Sequence, residues 1–534
     1  MSAETTDATP VSPGLGPSWG GVLLLCAGLI LLGAWGWLAP EYLMARGFPL
    51  DDAWIHAVYA RSLAAGQGLA YNPGIPATGE TSPLWAWVLV PSHWLSQDVA
   101  TRVLLTKLTG FLLHVMASGA AFLALGGRRG DRWALGGALL MLLHPDLVAA
   151  SVSGMEVPLA SLCIWGLVLA LKARSVLALG LLAAAAPLCR PELPVVTWTL
   201  PVLFLLGREP LREFARVLGA IAVGTAVSFG GMGLWYLAAS GRPLPATFYA
   251  KVGGGGPGLW ASLMRGFTEL LPGLSFTALP VLGVLVLLVA ERRGRPGPSE
   301  GWRLAAALVG AGLAFCCVSF ALIHPLDPAA FYHQRYLLPA LSLLVVPFVP
   351  LAGGRLQARV PLPGHRLWVV LALLPAGVCA LRLPARLERL TNDARNIDDV
   401  QVSVGRMLSG APPEAVVWAT DAGAVRYFGQ AFVVDMLGLN TPQMLGADAQ
   451  AYLDAHAPAY LETVPTWSRL VDPDRSWPTP RIFRPSTEYT VTRIIQMRLH
   501  ALVFCAQGTG TYDIRGRTFA FRCAPLGPPF PGPP

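Results

Sequence analysis

Charge is what this chain has least of. Acidic and basic residues make up 13% of its 534 positions, about half the ~25% of soluble domains. Hydrophobic residues reach 54% and the mean hydropathy is +0.53. That balance excludes an ordinary soluble globular protein and indicates a polytopic membrane protein with something appended. Lys and Arg are missing from Met1–Trp19, so this Pro-, Ser- and Thr-rich stretch lacks the n-region of a secretory signal and reads as a disordered cytoplasmic segment. No Cys-x-x-Cys metal pattern occurs among the eight cysteines. Six of them lie in or at apolar segments, where thiols behave as small hydrophobes. Only Cys505 and Cys523 fall in the polar C-terminal region, where a disulfide is conceivable if that region lies outside the cell. No internal repeat stands out. Gly253–Gly256 lacks the following Lys-Ser/Thr of a phosphate-binding loop and reads as a hinge. The net charge of +8 is no nucleic-acid signal, because the basic residues cluster between apolar runs.

What the chain does have is those runs. About eleven read as spans: Gly20–Leu38, Arg102–Leu125, Ala134–Ala150, Pro158–Leu171, Val176–Leu188, Leu193–Leu206, Val217–Ala239, Ser275–Ala290, Leu304–Ile323, Tyr336–Leu351 and Leu367–Leu383. Pro83–Leu95 is short, with His93 and three tryptophans, and reads as an interfacial or partly inserted helix. With it left out, the basic clusters Arg128–Arg132, Lys172–Arg174, Arg208–Arg216, Arg292–Arg303 and Arg355–Arg366 all face one side, the cytoplasm by the positive-inside rule. The remaining loops then share the outer side.

The expected architecture is an α-helical polytopic membrane protein with a small extracytoplasmic α/β domain. Residues 1–19 are a disordered cytoplasmic segment and 20–383 a transmembrane domain whose first outer loop is 40–100. Residues 384–525 form the outer domain and 526–534 a Pro-rich tail. Within the outer domain, Arg386–Leu408 reads as a polar helix, and Ala415–Thr420 and Ala431–Asp435 as strands.

The first outer loop carries the densest chemistry, FPLDDAWIHAVYARSLAAGQGLAYNPGIPATGETSPLW. It opens on adjacent carboxylates, Asp51 and Asp52. One acidic residue suffices to cap a helix; two in a tightly punctuated loop suggest a site. Arg190 and Glu192 in CRPE read either as a local ion pair or as a phosphate grip, since a guanidinium can hold phosphate bidentately. Glu156 in SGMEVP reads as a helix-start carboxylate or a ligand for a sugar hydroxyl. Lys251 in ATFYAK, with His333 and Arg335 in FYHQRY, are cations beside aromatics. They read as interfacial anchors or as binders of an anionic head group.

These pieces are similar to a known family. DDAWIHAVYARSLAAGQGLAYNPG followed by TGETSPLW resembles the first outer loop of GT-C-type, polyprenyl-phosphate-sugar-dependent membrane glycosyltransferases. It looks most like the mycobacterial terminal β-(1→2) arabinofuranosyltransferases and their bacterial relatives. SGMEVPL, CRPE, LPATFYAK, QRYLLPAL and TDAGAVRYFGQAFVVDMLGLNTP match in order, from about residue 20 to about 445, while Gly446–Pro534 finds no counterpart. The resemblance implies an inverting transfer on the outer face of a bacterial cytoplasmic membrane. A sugar, such as a pentose like arabinofuranose, leaves its polyprenyl phosphate as a hydroxyl of an envelope glycan, lipid or protein attacks.

On that implication Asp51 or Asp52 is the base, with Asp51, just before the helix, the freer to face a cavity. Glu156, Arg190, Glu192, Lys251, His333 and Arg335 are the candidates for binding substrate. A divalent metal held by Asp51 and Asp52 stays open. The competing reading is a transporter or flippase of a lipid-linked precursor. Against it, transporters place their sites near the midplane in repeated, broken helices, whereas here the isolated charges gather at one face.

Overall fold

Apolar runs in a bilayer must satisfy their backbone groups internally, so they become helices. The computed structural model describes residues 17–44, 46–127, 131–206, 209–252, 300–323, 335–350, 353, 363–463, 468–471, 481–482, 501–504, 508–514 and 516–524. The expected span Ser275–Ala290, the run Gly253–Gly256, His333 and Cys505 lie outside the described residues.

Helix α1 (Pro17–Leu38) and the short α2 (Pro40–Met44) lead into the first loop. The loop holds α3 (Asp51–Ala64), the paired strands β1 (Ala70–Asn72) and β2 (Ile75–Pro76), and α4 (Pro83–Leu95). There follow α5 (Val99–Ala124), α6 (Arg132–Leu143), α7 (Pro145–Ser151), α8 (Val157–Lys172), α9 (Val176–Cys189), α10 (Pro194–Leu205), α11 (Leu211–Ser240), α12 (Ala246–Val252), α13 (Glu300–Ile323) and α14 (Leu338–Val345). Asp98, Asp131 and Ser175 start α5, α6 and α9 by accepting a backbone N–H. Among the described residues five helices are long and apolar enough to cross a membrane, or six if α6 and α7 count as one. The helices α8, α9, α10 and the apolar run Leu338–Pro350 are shorter.

Two expectations change. The single span Ala134–Ala150 is a pair of helices, α6 and α7, bent by 59°. Pro145 lacks the N–H that would continue the helix and keeps His144 out of it; His144 is extended, with φ −64° and ψ 120°. The last span and the polar helix after it are one rod, Gly364–Gly410. Its main part is α15 (Gly364–Trp368), α16 (Leu374–Ile397) and α17 (Ser403–Met407), joined by wide π-type turns. Arg386 of the rod pairs with Asp146 of α7 at 2.8 Å.

The rod delivers the chain to a five-stranded sheet of order β4-β3-β5-β8-β7. Its strands are β3 (Val416–Ala419), β4 (Phe432–Asp435), β5 (Tyr460–Thr463), β7 (Arg481–Ile482) and β8 (Ala501–Phe504). β3 runs parallel to both neighbours, and β8 is antiparallel to β5 and β7. Helix α18 (Gly423–Phe428) connects β3 to β4, and α19 (Ala449–Ala455) precedes β5. A second sheet pairs β10 (Arg517–Arg522), β9 (Thr509–Ile514) and β6 (Ser468–Val471).

Both faces of the β3–β4 pair are covered, which is why these strands read as nearly continuous apolar runs. Trp418 and Val434 pack on one side with Tyr512, Phe519 and Phe521. Val417, Ala419 and Val433 pack on the other side with Phe48, Trp54, Val58 and Tyr71 of the first loop. The loop and the C-terminal sheet therefore share one core. α4 buries Trp85, Leu89 and Val90 and exposes Trp87, Trp94 and Leu95, a face suited to the membrane interface.

Candidate active site

The entry to α3 is pinned before any catalytic side chain is placed. Lys107 of α5 is wholly buried and donates from Nζ to the carbonyls of Tyr42 and Arg46. Gly47 N donates to Asp398 Oδ2 of the rod at 3.1 Å. A Cβ at Gly47 would meet that carboxylate at 2.5 Å, so the close approach requires glycine.

Asp51, expected at the cavity, has other partners. Its two oxygens accept the backbone N–H groups of Gly423 at 2.7 Å and Ala424 at 2.8 Å. Burial pushes its carboxyl well above the usual range and the Asp421 charge adds to this, while the two backbone donors oppose. Ten residues along α3, Arg61 donates to the carbonyls of Tyr427 and Arg426. Asp51 thus meets the start of α18 and Arg61 its end, each where the helix dipole favours that charge. Trp54 fills the gap between them, 4.9 Å from the rings of both Tyr427 and Phe428. At the sheet edge, Asn72 Nδ2 donates to Val433 O at 2.9 Å and Asn72 Oδ1 accepts from Val433 N at 3.1 Å. A single side chain thereby blunts the free edge of β4.

Asp52 points elsewhere. Its Oδ2 lies 2.5 Å from Arg335 Nη1, and its side chain keeps 36% exposure. Arg335 lines a small pocket whose wall is otherwise mainly apolar, with Leu50, Met155, Val157, Leu338 and Leu390, and with Arg386 as a second cation. Arg335 also lies over the Tyr336 ring, 5.1 Å from its centroid, and the guanidinium of Arg190 lies 5.5 Å from the same ring.

Arg190 is held by carboxylates. Its Nε donates to Glu192 Oε1 at 2.9 Å, Nη2 reaches the same oxygen, and Nη1 pairs with Glu156 Oε1. Glu156 in turn faces His56, with Oε2 3.3 Å from Nε2. His56 Nδ1 lies 2.8 and 3.1 Å from the two oxygens of Glu80, and Glu80 also accepts from Ser82 N at 2.7 Å. His56, Glu80, Glu156 and Arg190 are all buried. The network ties the first loop to the start of α8, the end of α9 and the start of α10. Glu80 and His56 escaped the sequence reading. The available signal was a lone Glu in the polar turn TGETS and a His one helical turn after Asp52.

Burial would lower the His56 imidazole, but the Glu80 and Glu156 carboxylates override it and raise it from 6.5 to about 10. Burial would raise Glu156, but Arg190 and His56 hold it at about 2 instead of 4.5. The raised His56 contributes stability that is complete below pH 6.5 and is lost as pH climbs through about 10. The depressed Glu156 contributes stability that is complete above pH 4.5 and is lost as pH falls through about 2. The charged groups facing His56 are Glu80 from the loop and Glu156 from the start of α8, with Arg190 behind Glu156. The thermal midpoint in detergent is expected to peak between pH 4.5 and 6.5 and to fall toward pH 10. His56→Gln should flatten the alkaline slope; an unchanged slope in that variant would assign the loss to other groups.

Lys251 sits on α12, and the backbone N–H of Ala246 at the start of that helix donates to Thr78 O of the first loop at 3.1 Å. Its side chain, like His333, lies outside the described part of the structure. Among the described residues no group of three His, Cys, Asp or Glu is arranged to hold a metal ion. Asp51 and Asp52, the sequence-level candidates for one, have the backbone and guanidinium partners given above.

No curated protein matches this chain by sequence. Residues 395–513 match a family described as a domain of unknown function, DUF8728, which spans the end of the rod and most of the C-terminal sheets. Among solved structures, the chain is similar to ArnT from Cupriavidus metallidurans bound to undecaprenyl phosphate. The two are 15% identical with a TM-score of 0.56, over 92% of this chain and 98% of that one. The apo state of the same ArnT matches at 16% identity and a TM-score of 0.55, over 91% and 98%. The archaeal oligosaccharyltransferase AglB from Archaeoglobus fulgidus, in complex with an inhibitory peptide and a dolichol-phosphate, gives 11% and 0.47 over 83% and 69%. The chain thus shares the fold of ArnT along nearly its whole length.

Proposed function

We propose that this protein is a GT-C-type membrane glycosyltransferase that moves a sugar from a polyprenyl-phosphate donor to an acceptor hydroxyl on the outer face of a bacterial cytoplasmic membrane. The observation that carries the reading is the Asp52–Arg335 pair at a mainly apolar pocket, on a fold shared with a protein crystallised with undecaprenyl phosphate.

Arg335, a cation beside apolar side chains, suits the donor's phosphate. A base must lie within hydrogen-bond reach of the proton it takes. Asp52 is the partly exposed carboxylate paired with Arg335, whereas the oxygens of Asp51 are engaged by Gly423 and Ala424. The acceptor oxygen attacks the anomeric carbon as its proton passes to Asp52. The bond to the phosphate oxygen breaks on the opposite side, which inverts the centre. The departing polyprenyl phosphate gathers negative charge, which pre-placed cations stabilise. Arg335 takes that role in this reading, with Lys251 a second candidate cation and His333 a further candidate for binding substrate. Arg190, Glu156 and Glu192 support the site from behind. Following that resemblance, the sugar is a pentose such as arabinofuranose and the acceptor an envelope glycan, lipid or protein.

The test is mass spectrometry of lipid retained by the purified protein, followed by single-turnover transfer from labelled polyprenyl-phosphate sugars. Retention of a polyprenyl phosphate and transfer from one such donor are expected. A protein that carries lipid-linked sugar across vesicles and transfers none would be a flippase. Orientation has its own check. Cysteines at the exposed positions Gln67 and Asp454 should react with an impermeant thiol reagent in intact cells, and one at exposed Ala173 should not. Reaction at position 173 would reverse the topology.

A further inference from the structure

The contacts described above close into a ring. Asp52 pairs with Arg335; Arg335 and Arg190 flank the Tyr336 ring; Arg190 pairs with Glu156; and Glu156 faces His56. His56 returns to Asp52 through α3 itself, because the two stand four residues apart and so share a helix face. Glu80 holds His56 from the other side with both carboxylate oxygens. His56 and Asp52 are the two members of the ring that stand on α3, so the clamp on His56 bears on where α3 places Asp52 relative to Arg335.

From this geometry we infer that His56 is a positioning residue for the transfer step, a buried imidazole clamped between Glu80 and Glu156 that fixes the reach of Asp52. The inference rests on the reading of Asp52 as the base. His56 is 3% exposed and touches no open surface of the pocket, so it acts through Asp52 and not on substrate. Two aligned carboxylates on opposite nitrogens of one ring hold it as no single contact can. A shift of about 1 Å at a reacting group can cost about 10²-fold in rate.

The experiment uses the full-length protein in nanodiscs with a labelled polyprenyl-phosphate sugar. Donor affinity, single-turnover transfer and melting temperature are read for His56→Gln, Asp52→Asn and the double variant. His56→Gln is expected to slow transfer at saturating donor by about 10²-fold with donor affinity within about twofold of wild type. In the Asp52→Asn background the same change should cost nothing further, because a residue acting through Asp52 has nothing left to position. Should His56→Gln fail to fold, Glu80→Gln removes half of the clamp, and the same split and the same lack of additivity are expected.

Wild-type transfer by His56→Gln would overturn the inference. So would a rate loss matched by an equal loss of donor affinity, or losses that multiply in the double variant. The underlying function fails separately. Undiminished transfer by Asp52→Asn would remove Asp52 as the base whatever His56 does.

Discussion

Asp52→Asn is expected to fold, bind donor and lose transfer by about 10²–10⁴-fold, the usual cost of removing a general base. Asparagine keeps the shape and removes the proton acceptor, so the loss falls on the chemical step. Arg335 stays in place without its carboxylate, because it also donates to the Tyr336 hydroxyl at 3.3 Å, and donor phosphate should bind at least as well. Asp51→Asn makes the contrast. It disturbs the cap on Gly423 and Ala424, so its cost should appear as stability, about 1 kcal/mol as for other caps, with transfer per folded molecule little changed. Single-turnover rates at saturating donor, beside melting curves, separate the two. If Asp51→Asn loses transfer and Asp52→Asn keeps it, the roles are reversed.

Arg190→Ala should be the most destabilising single change at the site. It strips Glu156 and Glu192 of the guanidinium they share, and removing one partner of a buried pair typically costs about 3–5 kcal/mol. Low yield and a collapsed melting transition are expected, ahead of any specific effect on donor. Arg190→Lys keeps the charge but cannot span both carboxylates in a plane, and should recover part of the stability. A well-folded Arg190→Ala protein whose sole defect is weak donor binding would show that the guanidinium serves the phosphate and not the framework.

Why some of this was legible in the sequence follows from distance along the chain. CRPE places an Arg two residues from a Glu, and the pair forms where the residues stand. VVWA and FVVD are β-branched and aromatic runs between turns, and they are strands. The helix ends fall close to the edges of the apolar runs for the same reason. The cap on Gly423 joins residues 372 apart, and nothing local in DDAW or TDAG announces it. His56 and Glu80 meet only because the ribbon β1–β2 folds the loop back on α3. The bend at His144 was written in Pro145 and was outweighed by the apolar composition on both sides. The long rod was missed for the opposite reason. Polarity changes at Leu383, but Pro384 within α16 does not end the helix.

The core shared by the first loop and the C-terminal sheet bears on how this protein is made. Trp54, Tyr71 and Asn72 leave the ribosome early, and their partners Tyr427, Ala422 and Val433 come after all the described apolar helices. During synthesis, at about 5–20 residues per second, the loop waits tens of seconds with aromatic side chains uncovered and α18 not yet present. Contacts this distant in sequence form slowly. The wait therefore exposes an apolar surface, which a holding factor or the membrane interface must cover. It also makes the last step of folding a quality check. A chain whose helices have inserted in the wrong order cannot bring residues 423–433 to the loop, and so cannot complete the scaffold that presents Asp52.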